Sequence, residues 1–79
     1  MGMSFSSFRL LLVDAVLAPD ISENMQRVSE YTKLREVCDS LAEVEIQMEI
    51  SDRLGLEIAC EHFTATLTAG ELHRLCIQQ

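Results

Sequence analysis

The sequence carries the signature of a helix start twice, once in Ser40 with Glu43 and once in Thr68 with Glu71. In such a capping box the hydroxyl accepts the backbone N–H three residues later, and the glutamate reaches back to the N–H of the capping residue. Both pairs precede apolar residues at helical spacing. Gly55 is suited to end the helix that begins at Ser40, because glycine readily adopts the left-handed conformation found just beyond a helix. The chain is therefore expected to be helical.

A further helix is predicted near the N-terminus, where Ser4 is a suitable N-cap. Pro19 is expected to stop this helix, because the residue before a proline is disfavoured in the helical conformation. We predict a helix over residues 4–17. Its apolar side is expected to consist of Phe5, Phe8, Leu12, Ala15 and Val16.

The spacing of apolar residues also predicts which side of each later helix faces the core. In the helix from Ser40, Ile46 and Ile50 are expected to flank a buried stripe. That stripe is predicted to contain Leu41, Val44, Met48 and Leu54. A short third helix over residues 61–65 is predicted to bury Phe63. The other residues predicted to enter the core are Leu56, Ile58, Leu72, Leu75 and Cys76.

Length and charge restrict the class of protein. The 79 residues are enough for a single domain, residues 1–79. Thirteen acidic and six basic residues give a formal net charge of −7. Nucleic acid is a poor partner for such a chain, because its phosphates require basic groups. The charge favours protein partners with positive surfaces, although solubility alone is an alternative reason for it.

Neither a membrane nor a secreted location is indicated. The longest apolar run, residues 10–13, is much shorter than the roughly 20 residues of a membrane-spanning helix. The N-terminus lacks the basic segment of a secretory signal. The three cysteines, Cys38, Cys60 and Cys76, cannot all pair within one chain. We expect reduced thiols in a cytoplasmic protein.

Two cysteine–histidine pairs raise the question of zinc. Cys60 and His62 are separated by one residue, a gap that is unusual for zinc ligands, and in the pair of His73 with Cys76 the cysteine is expected to be buried. A nucleophile built on Cys38 and a distant histidine is a still weaker hypothesis, since no oxyanion loop is evident. We predict no metal site and no catalytic residues.

Residues 39–58 read DSLAEVEIQMEISDRLGLEI, and this stretch resembles the acyl carrier proteins and the related peptidyl carrier domains. The run LTAGEL at residues 67–72 is similar to the closing motif of that family, so the resemblance covers nearly the whole chain. Val37 departs from the pattern, which usually has a glycine there. The resemblance implies an all-α, small four-helix bundle of acyl-carrier-protein type with a short third helix. It also implies a long first loop.

This loop is placed at residues 21–38, although helix-compatible spacings also occur there. Ile21 and Leu34 match the two apolar anchors of the family's loop. We therefore predict a loop that packs on the bundle and contains at most a short helical turn or two.

The resemblance implies a 4′-phosphopantetheine arm on Ser40, attached by a phosphopantetheinyl transferase with assistance from Asp39. The chain would then be a phosphoprotein of fatty acid or polyketide biosynthesis that carries acyl intermediates as thioesters and has no enzyme activity of its own. Independently of the family, a helix N-terminus favours the negative charge of a phosphate ester. The plain alternative is that Ser40 serves only as a helix cap.

The helix that follows Ser40 is implied to dock on basic patches of acyl-loading, chain-elongating and modifying enzymes. The residues assigned to this partner surface are Leu41, Glu43, Glu45, Ile46, Glu49 and Asp52. Leu41 is thus assigned both to the core stripe and to this surface. We expect a monomer. Two alternatives stay open: an aminoacyl or peptidyl carrier, and an unmodified interaction module of the same fold.

Overall fold

The computed structural model describes residues 2–78, and most of these residues lie in helices. It contains four α-helices, namely α1 (Phe5–Ala15), α2 (Pro19–Met25), α3 (Ser40–Leu54) and α4 (Ala69–Ile77). Two short 3₁₀ turns, Leu34–Glu36 and Cys60–His62, lie in the connections. The helix α1 packs against each of the other three helices. None of the helices in residues 2–78 is long and apolar enough to cross a membrane.

The helix α1 begins as predicted, because the Ser4 hydroxyl accepts the backbone N–H of Ser7 at 3.2 Å. It ends at Ala15, two residues earlier than predicted, and the chain becomes extended at Val16. Its predicted apolar side is confirmed, with Phe5 partly buried and the rest buried: Phe8, Leu12, Ala15 and Val16. Contrary to the prediction, Pro19 does not end α1, because the chain leaves the helix three residues earlier; it starts α2, where the missing N–H of proline is no loss in the first helical turn.

The predicted loop over residues 21–38 begins later than expected, because α2 occupies Pro19–Met25. The seven residues of α2 make about two helical turns, which agrees with the prediction that the loop contains at most a short helical turn or two. However, α2 starts two residues before the predicted loop. The two anchors differ in burial: Leu34 is fully buried, whereas Ile21 is partly buried against the core.

The rest of this loop, residues 26–38, is tied to the start of α4. The N–H of Ala69 donates to the carbonyl oxygen of Thr32, and the N–H of Gly70 donates to that of Glu30, both at 2.9 Å. The first N–H groups of a helix lack partners within the helix, and here the loop supplies them. The loop is therefore packed against the bundle, as predicted.

The start of α4 matches the predicted capping box. The Thr68 hydroxyl accepts the N–H of Glu71 at 3.1 Å, and the Glu71 carboxylate accepts the N–H of Thr68 at 3.0 Å. Leu72 and Cys76 are fully buried as predicted, and Leu75 is partly buried.

His73 also lies on the inner side of α4, which the sequence did not indicate. Its ring lies 5.8 Å from the ring of Phe5 and 5.3 Å from that of Phe8. Its Nε2 is 2.6 Å from the carbonyl oxygen of Met3. These contacts join α4 to α1 and to Met3, which precedes α1.

The predicted third helix over residues 61–65 is wrong, since only the 3₁₀ turn Cys60–His62 forms there. Arg35 donates from Nη2 to the carbonyl oxygen of Phe63 at 2.8 Å, and a continuing helix would need that oxygen for its own backbone. The side chain of Phe63 is nevertheless buried, as expected.

The predicted core stripe of α3 is also wrong. The buried residues of this helix are Ala42, Ile46 and Ile50, which recur every four positions. The predicted core residues are exposed, by 66% for Leu41, 49% for Val44 and 61% for Met48. Two apolar stripes run along α3, and packing against α1 buries the one that contains the isoleucines. Gly55 ends the helix with φ +66°, as predicted, while Leu54 and Leu56 are partly buried and Ile58 is buried.

Candidate functional site

The first turn of α3 is held by Asp39, and this leaves the neighbouring Ser40 hydroxyl out of the cap. Asp39 Oδ1 accepts the N–H of Ala42 at 2.8 Å, and the extended backbone of Asp39 is typical of an N-cap residue. Ser40 is the first helical residue and is exposed. The predicted capping box of Ser40 with Glu43 is therefore wrong, because the cap lies one residue earlier.

Glu43 turns inward instead of forming that box. Its Oε2 lies 3.6 Å from Nε of Arg35, and its side chain is only 12% exposed. This distance is longer than a hydrogen bond, and within residues 2–78 the same oxygen has no hydrogen-bond partner. Glu43 therefore has little surface to offer a docking protein. Arg35, which the sequence pattern did not single out, links Glu43 to the carbonyl oxygen of Phe63.

Cys38 lies just before the cap and is buried. Burial raises the pKa of its thiol to about 12, and the negative charges of Glu43 and Asp39 act in the same direction. A thiol with such a pKa is neutral at physiological pH and is a poor nucleophile. Cys38 therefore behaves as a small apolar side chain, whereas the nearby Ser40 is exposed.

Three large apolar side chains point outward along α3, starting directly after Ser40. These residues, Leu41, Val44 and Met48, form what we call the outer stripe, and they lie opposite the buried side of the helix. Groups of exposed apolar side chains mark interaction surfaces more often than isolated ones do. The structure thus places Leu41 on the surface, in agreement with one of its two assignments.

The residues on the two sides of the outer stripe differ in their chemistry. Successive residues are rotated by about 100° around the helix axis, and this rotation assigns each residue of α3 to one side. Glu45, Glu49 and Asp52 lie on the side towards α1, which we call the acidic flank. Ser40, Gln47 and Ser51 lie on the other side, which we call the neutral flank. Glu43 also lies on that side, but its side chain turns inward towards Arg35.

Some of the acidic residues that were predicted to dock on partner enzymes form contacts within the chain instead. Glu45 Oε1 accepts the backbone N–H of Leu17 at 3.3 Å. Glu49 Oε2 lies 3.3 Å from Arg53, which is also 3.4 Å from Asp14. Such partly exposed ion pairs contribute little to stability and are easily exchanged. Asp52 is exposed and forms no ion pair within the part of the chain that the structure describes.

Ile46 was also assigned to the partner surface, and this assignment is wrong. Its side chain is fully buried in the core, so it has no atoms to offer a partner. Its buried position belongs to the same change in helix orientation that exposes the outer stripe.

An open groove of about 350 Å³ borders the neutral flank. Its lining consists of Gln47 and Ser51 from α3 and of residues 57–59. Gln47 Nε2 donates to the carbonyl oxygen of Ile58 at 3.1 Å and so fixes this segment against α3. A second groove, of about 370 Å³, lies between residues 61–67 and α4 and includes no residue of α3.

The cysteines and histidines are dispersed. All three cysteines are free thiols, with Cys38 and Cys76 buried and Cys60 exposed. In residues 2–78, no group of three or more histidine, cysteine, aspartate and glutamate side chains is arranged to hold a metal ion.

The residues at the start of α3 fit attachment of a phosphopantetheine group. The Ser40 oxygen is accessible, the cap does not use it, and the first turn of α3 presents the positive end of a 15-residue helix. Comparison with known proteins finds no match to this chain among protein-family models, curated proteins or solved structures.

Proposed function

We propose that this chain is an acyl carrier protein, in which Ser40 bears a 4′-phosphopantetheine arm and partner enzymes use the arm to pass on acyl groups. The observation that carries the proposal is the exposed Ser40 hydroxyl in the first turn of α3, which the cap of Asp39 leaves free. The resemblance of residues 39–58 to the carrier family supports the same assignment. The chain itself contributes no catalytic residue.

Each part of the molecule has a separate task in this proposal. The arm would supply the thiol that holds fatty acyl or polyketide groups as thioesters. The Ser40 oxygen would form a bond to the phosphorus of CoA that carries the pantetheine group. The diphosphate bond of CoA would break, adenosine 3′,5′-bisphosphate would leave, and the hydroxyl proton of Ser40 would be lost. During this transfer Asp39 would continue to cap the first turn of α3 through its hydrogen bond to Ala42. Its exposed carboxylate would also be available to help position the Mg²⁺ of a transferase.

Partner enzymes would recognise the outer stripe and the acids beside it. A few well-packed side chains near the centre of an interface supply most of its binding energy, while charges at its rim set the rate and orientation of encounter. The outer stripe has three large apolar side chains that could occupy such a centre, and Asp52 is an exposed carboxylate beside them. Partners with a basic rim, including a phosphopantetheinyl transferase, would match this surface.

A second candidate is an interaction module that is never modified and binds a partner through the outer stripe alone. The exposure of Leu41, Val44 and Met48 favours it equally, because a docking surface does not require a modified serine. An aminoacyl or peptidyl carrier would have the same surface and differ from the acyl carrier only in its cargo.

Intact-mass measurement separates the modified from the unmodified candidate. The purified chain is incubated with CoA, Mg²⁺ and a phosphopantetheinyl transferase of broad specificity. We expect a gain of one phosphopantetheine group on the wild type and on Ser51→Ala, a control at another exposed serine of α3, and no gain on Ser40→Ala. No gain on the wild type, or an equal gain on Ser40→Ala, would contradict the carrier function and favour the interaction module.

A further inference from the structure

Arg35 is a basic side chain that reaches the start of α3 from the loop before it. It lies on the 3₁₀ turn Leu34–Glu36, five positions before Ser40 in the sequence. Its Nη2 donates to the carbonyl oxygen of Phe63 at 2.8 Å, and its Nε lies 3.6 Å from Oε2 of Glu43. These contacts place the guanidinium between the loop, the first turn of α3 and the segment that contains Phe63.

The guanidinium of Arg35 has donors to spare. An arginine side chain carries five N–H donors, and within residues 2–78 this one makes a single hydrogen bond, to the neutral carbonyl oxygen of Phe63. Its distance from Glu43 is too long for a hydrogen bond. The side chain is also half exposed. Arg35 can therefore bind a further anion from the solvent side.

The side chains that surround Arg35 bring it towards Ser40. Glu43 follows Ser40 by three residues, and residues three apart in a helix are neighbours on its surface. Long side chains in a helix lean towards its N-terminus. The Glu43 carboxylate and the guanidinium beside it are thus displaced towards the turn that begins with Ser40.

The charges at this end of α3 call for a basic group. Asp39 and Glu43 are acids of the cap and the first turn, and Glu36 is exposed on the same 3₁₀ turn as Arg35. A phosphodiester between them would be anionic and would be repelled by each, although the positive end of the helix offsets part of this repulsion. Among the ion pairs of residues 2–78, only that of Arg35 lies here, because the other two involve Arg53 in the last turn.

We propose that Arg35 binds the phosphate ester of Ser40 and offsets the negative charges of Asp39 and Glu43 beside it. This assignment rests on the proposed carrier function and adds to it a residue of this chain that holds the root of the arm. The planar fork of arginine donors matches the oxygens of a phosphate group. The bond to Phe63 keeps the guanidinium near the start of α3 before the phosphate arrives.

A double-mutant cycle with an encoded charge tests this pairing without any transferase. Ser40→Glu and Ser40→Gln place side chains of the same size at this position, and only the first is charged. With Arg35 present, we expect Ser40→Glu to melt no lower than Ser40→Gln. With Arg35→Gln added, Ser40→Glu should melt roughly 2–4 °C lower than Ser40→Gln. The lost bond to Phe63 affects both proteins and cancels in the comparison.

Two further substitutions separate the charge of Arg35 from its structural contacts. Arg35→Lys keeps the positive charge without the fork of donors, and we expect Ser40→Glu to be tolerated in this background. Arg27→Gln makes the same change in net charge at an exposed arginine that bonds to Asn24 of α2, and it should leave the comparison as in the wild type. High salt should reduce the penalty in Arg35→Gln.

The loaded chain provides the direct measurement. Wild type, Arg35→Gln and Arg27→Gln are each melted with and without the phosphopantetheine group on Ser40. Loading should not lower the melting temperature of the wild type or of Arg27→Gln, and it should lower that of Arg35→Gln by roughly 2–4 °C. Circular dichroism before loading checks that all three chains have the same helix content.

The possible outcomes distinguish this assignment from the carrier function. A wild type that takes no phosphopantetheine refutes the carrier function, and the phosphate role of Arg35 with it. A wild type that is loaded, together with a cycle that shows no difference between Arg35 and Arg35→Gln, refutes the role of Arg35 alone. An equal penalty in Arg27→Gln would also overturn it, because net charge would then explain the result. If Arg35→Gln folds but cannot be loaded, the cycle with the encoded charge decides.

Discussion

The carbonyl oxygen of Glu30 accepts the backbone N–H of Gly70 at 2.9 Å, and this contact joins the long loop to α4. The approach is close because Gly70 has no side chain. A Cβ at this position would lie 2.6 Å from that oxygen and 2.8 Å from the Cβ of Glu30. The loop that leads to the start of α3 is thus positioned by a glycine at the start of another helix.

Gly70→Ala should lower the free energy of unfolding by about 2 kcal/mol, because the added methyl group forces the loop backbone away from α4. Denaturant unfolding followed by circular dichroism measures the change. Gly55→Ala is the control, since a Cβ there meets nothing within 4 Å and only the φ of +66° opposes it, at a cost of about 1 kcal/mol. If Gly70→Ala lowers the free energy of unfolding less than Gly55→Ala does, the loop backbone can move away from the added methyl group at little cost.

Ile46→Ala and Leu41→Ala should have very different effects on stability. The first removes a fully buried side chain and should cost about 3 kcal/mol, whereas the second alters an exposed one and should stay within about 0.5 kcal/mol. Urea titration of both variants decides the orientation of α3. Comparable losses, or a larger loss for Leu41→Ala, would restore the orientation predicted from the sequence.

The capping box of α4 makes stability depend on acid pH. The N–H of Thr68 lowers the pKa of the Glu71 carboxyl from its usual 4.5, and the hydroxyl of Thr68 and the charge of Arg74 act in the same direction. A lowered pKa in the folded state means that the contribution is fully present above pH 4.5 and is lost as the pH falls through the folded value.

We expect the unfolding free energy to decline below pH 4.5 in the wild type, and this decline to be shallower in Glu71→Gln, whose amide does not titrate. Thermal melts from pH 7 to pH 2.5 measure it. Parallel curves for the two proteins would show that the Glu71 carboxylate does not stabilise α4.

The thiols should differ in their reaction with iodoacetamide. At pH 8, Cys60 should be alkylated first because it is exposed. Cys38 and Cys76 should be protected, since burial shields them and raises their pKa values to about 12 and about 11. Mass spectrometry counts the alkyl groups attached to the chain. In the Cys60→Ser variant we expect no alkylation until denaturant is present. Rapid labelling of Cys38 in the folded protein would contradict its burial.

The helix boundaries that could be predicted from the sequence depend on interactions over three or four residues. Ser4 caps α1, Thr68 and Glu71 close the first turn of α4, and Gly55 ends α3 in the left-handed conformation. Each of these signals acts within its own segment, so no knowledge of the tertiary structure is needed. The burial of Phe63 was also predicted, although the helix expected around it does not form.

The orientation of α3 could not be predicted because the helix has two apolar stripes of similar regularity. Its contact with α1 decides which stripe is buried, and that contact joins residues far apart in the sequence. The cap was ambiguous for a simpler reason, since Asp39 and Ser40 are adjacent and both residue types cap helices well. The contact of Leu17 with Glu45 has no local signal, because 28 residues separate them.

Asp39 caps α3, so the neighbouring Ser40 hydroxyl takes no part in the cap. A group added to the Ser40 oxygen and later removed would leave the hydrogen bond from Ala42 to Asp39 intact at every stage. The fold at the start of α3 would then not depend on whether the group is present, and a phosphate ester would add the favourable interaction of its charge with the positive end of the helix.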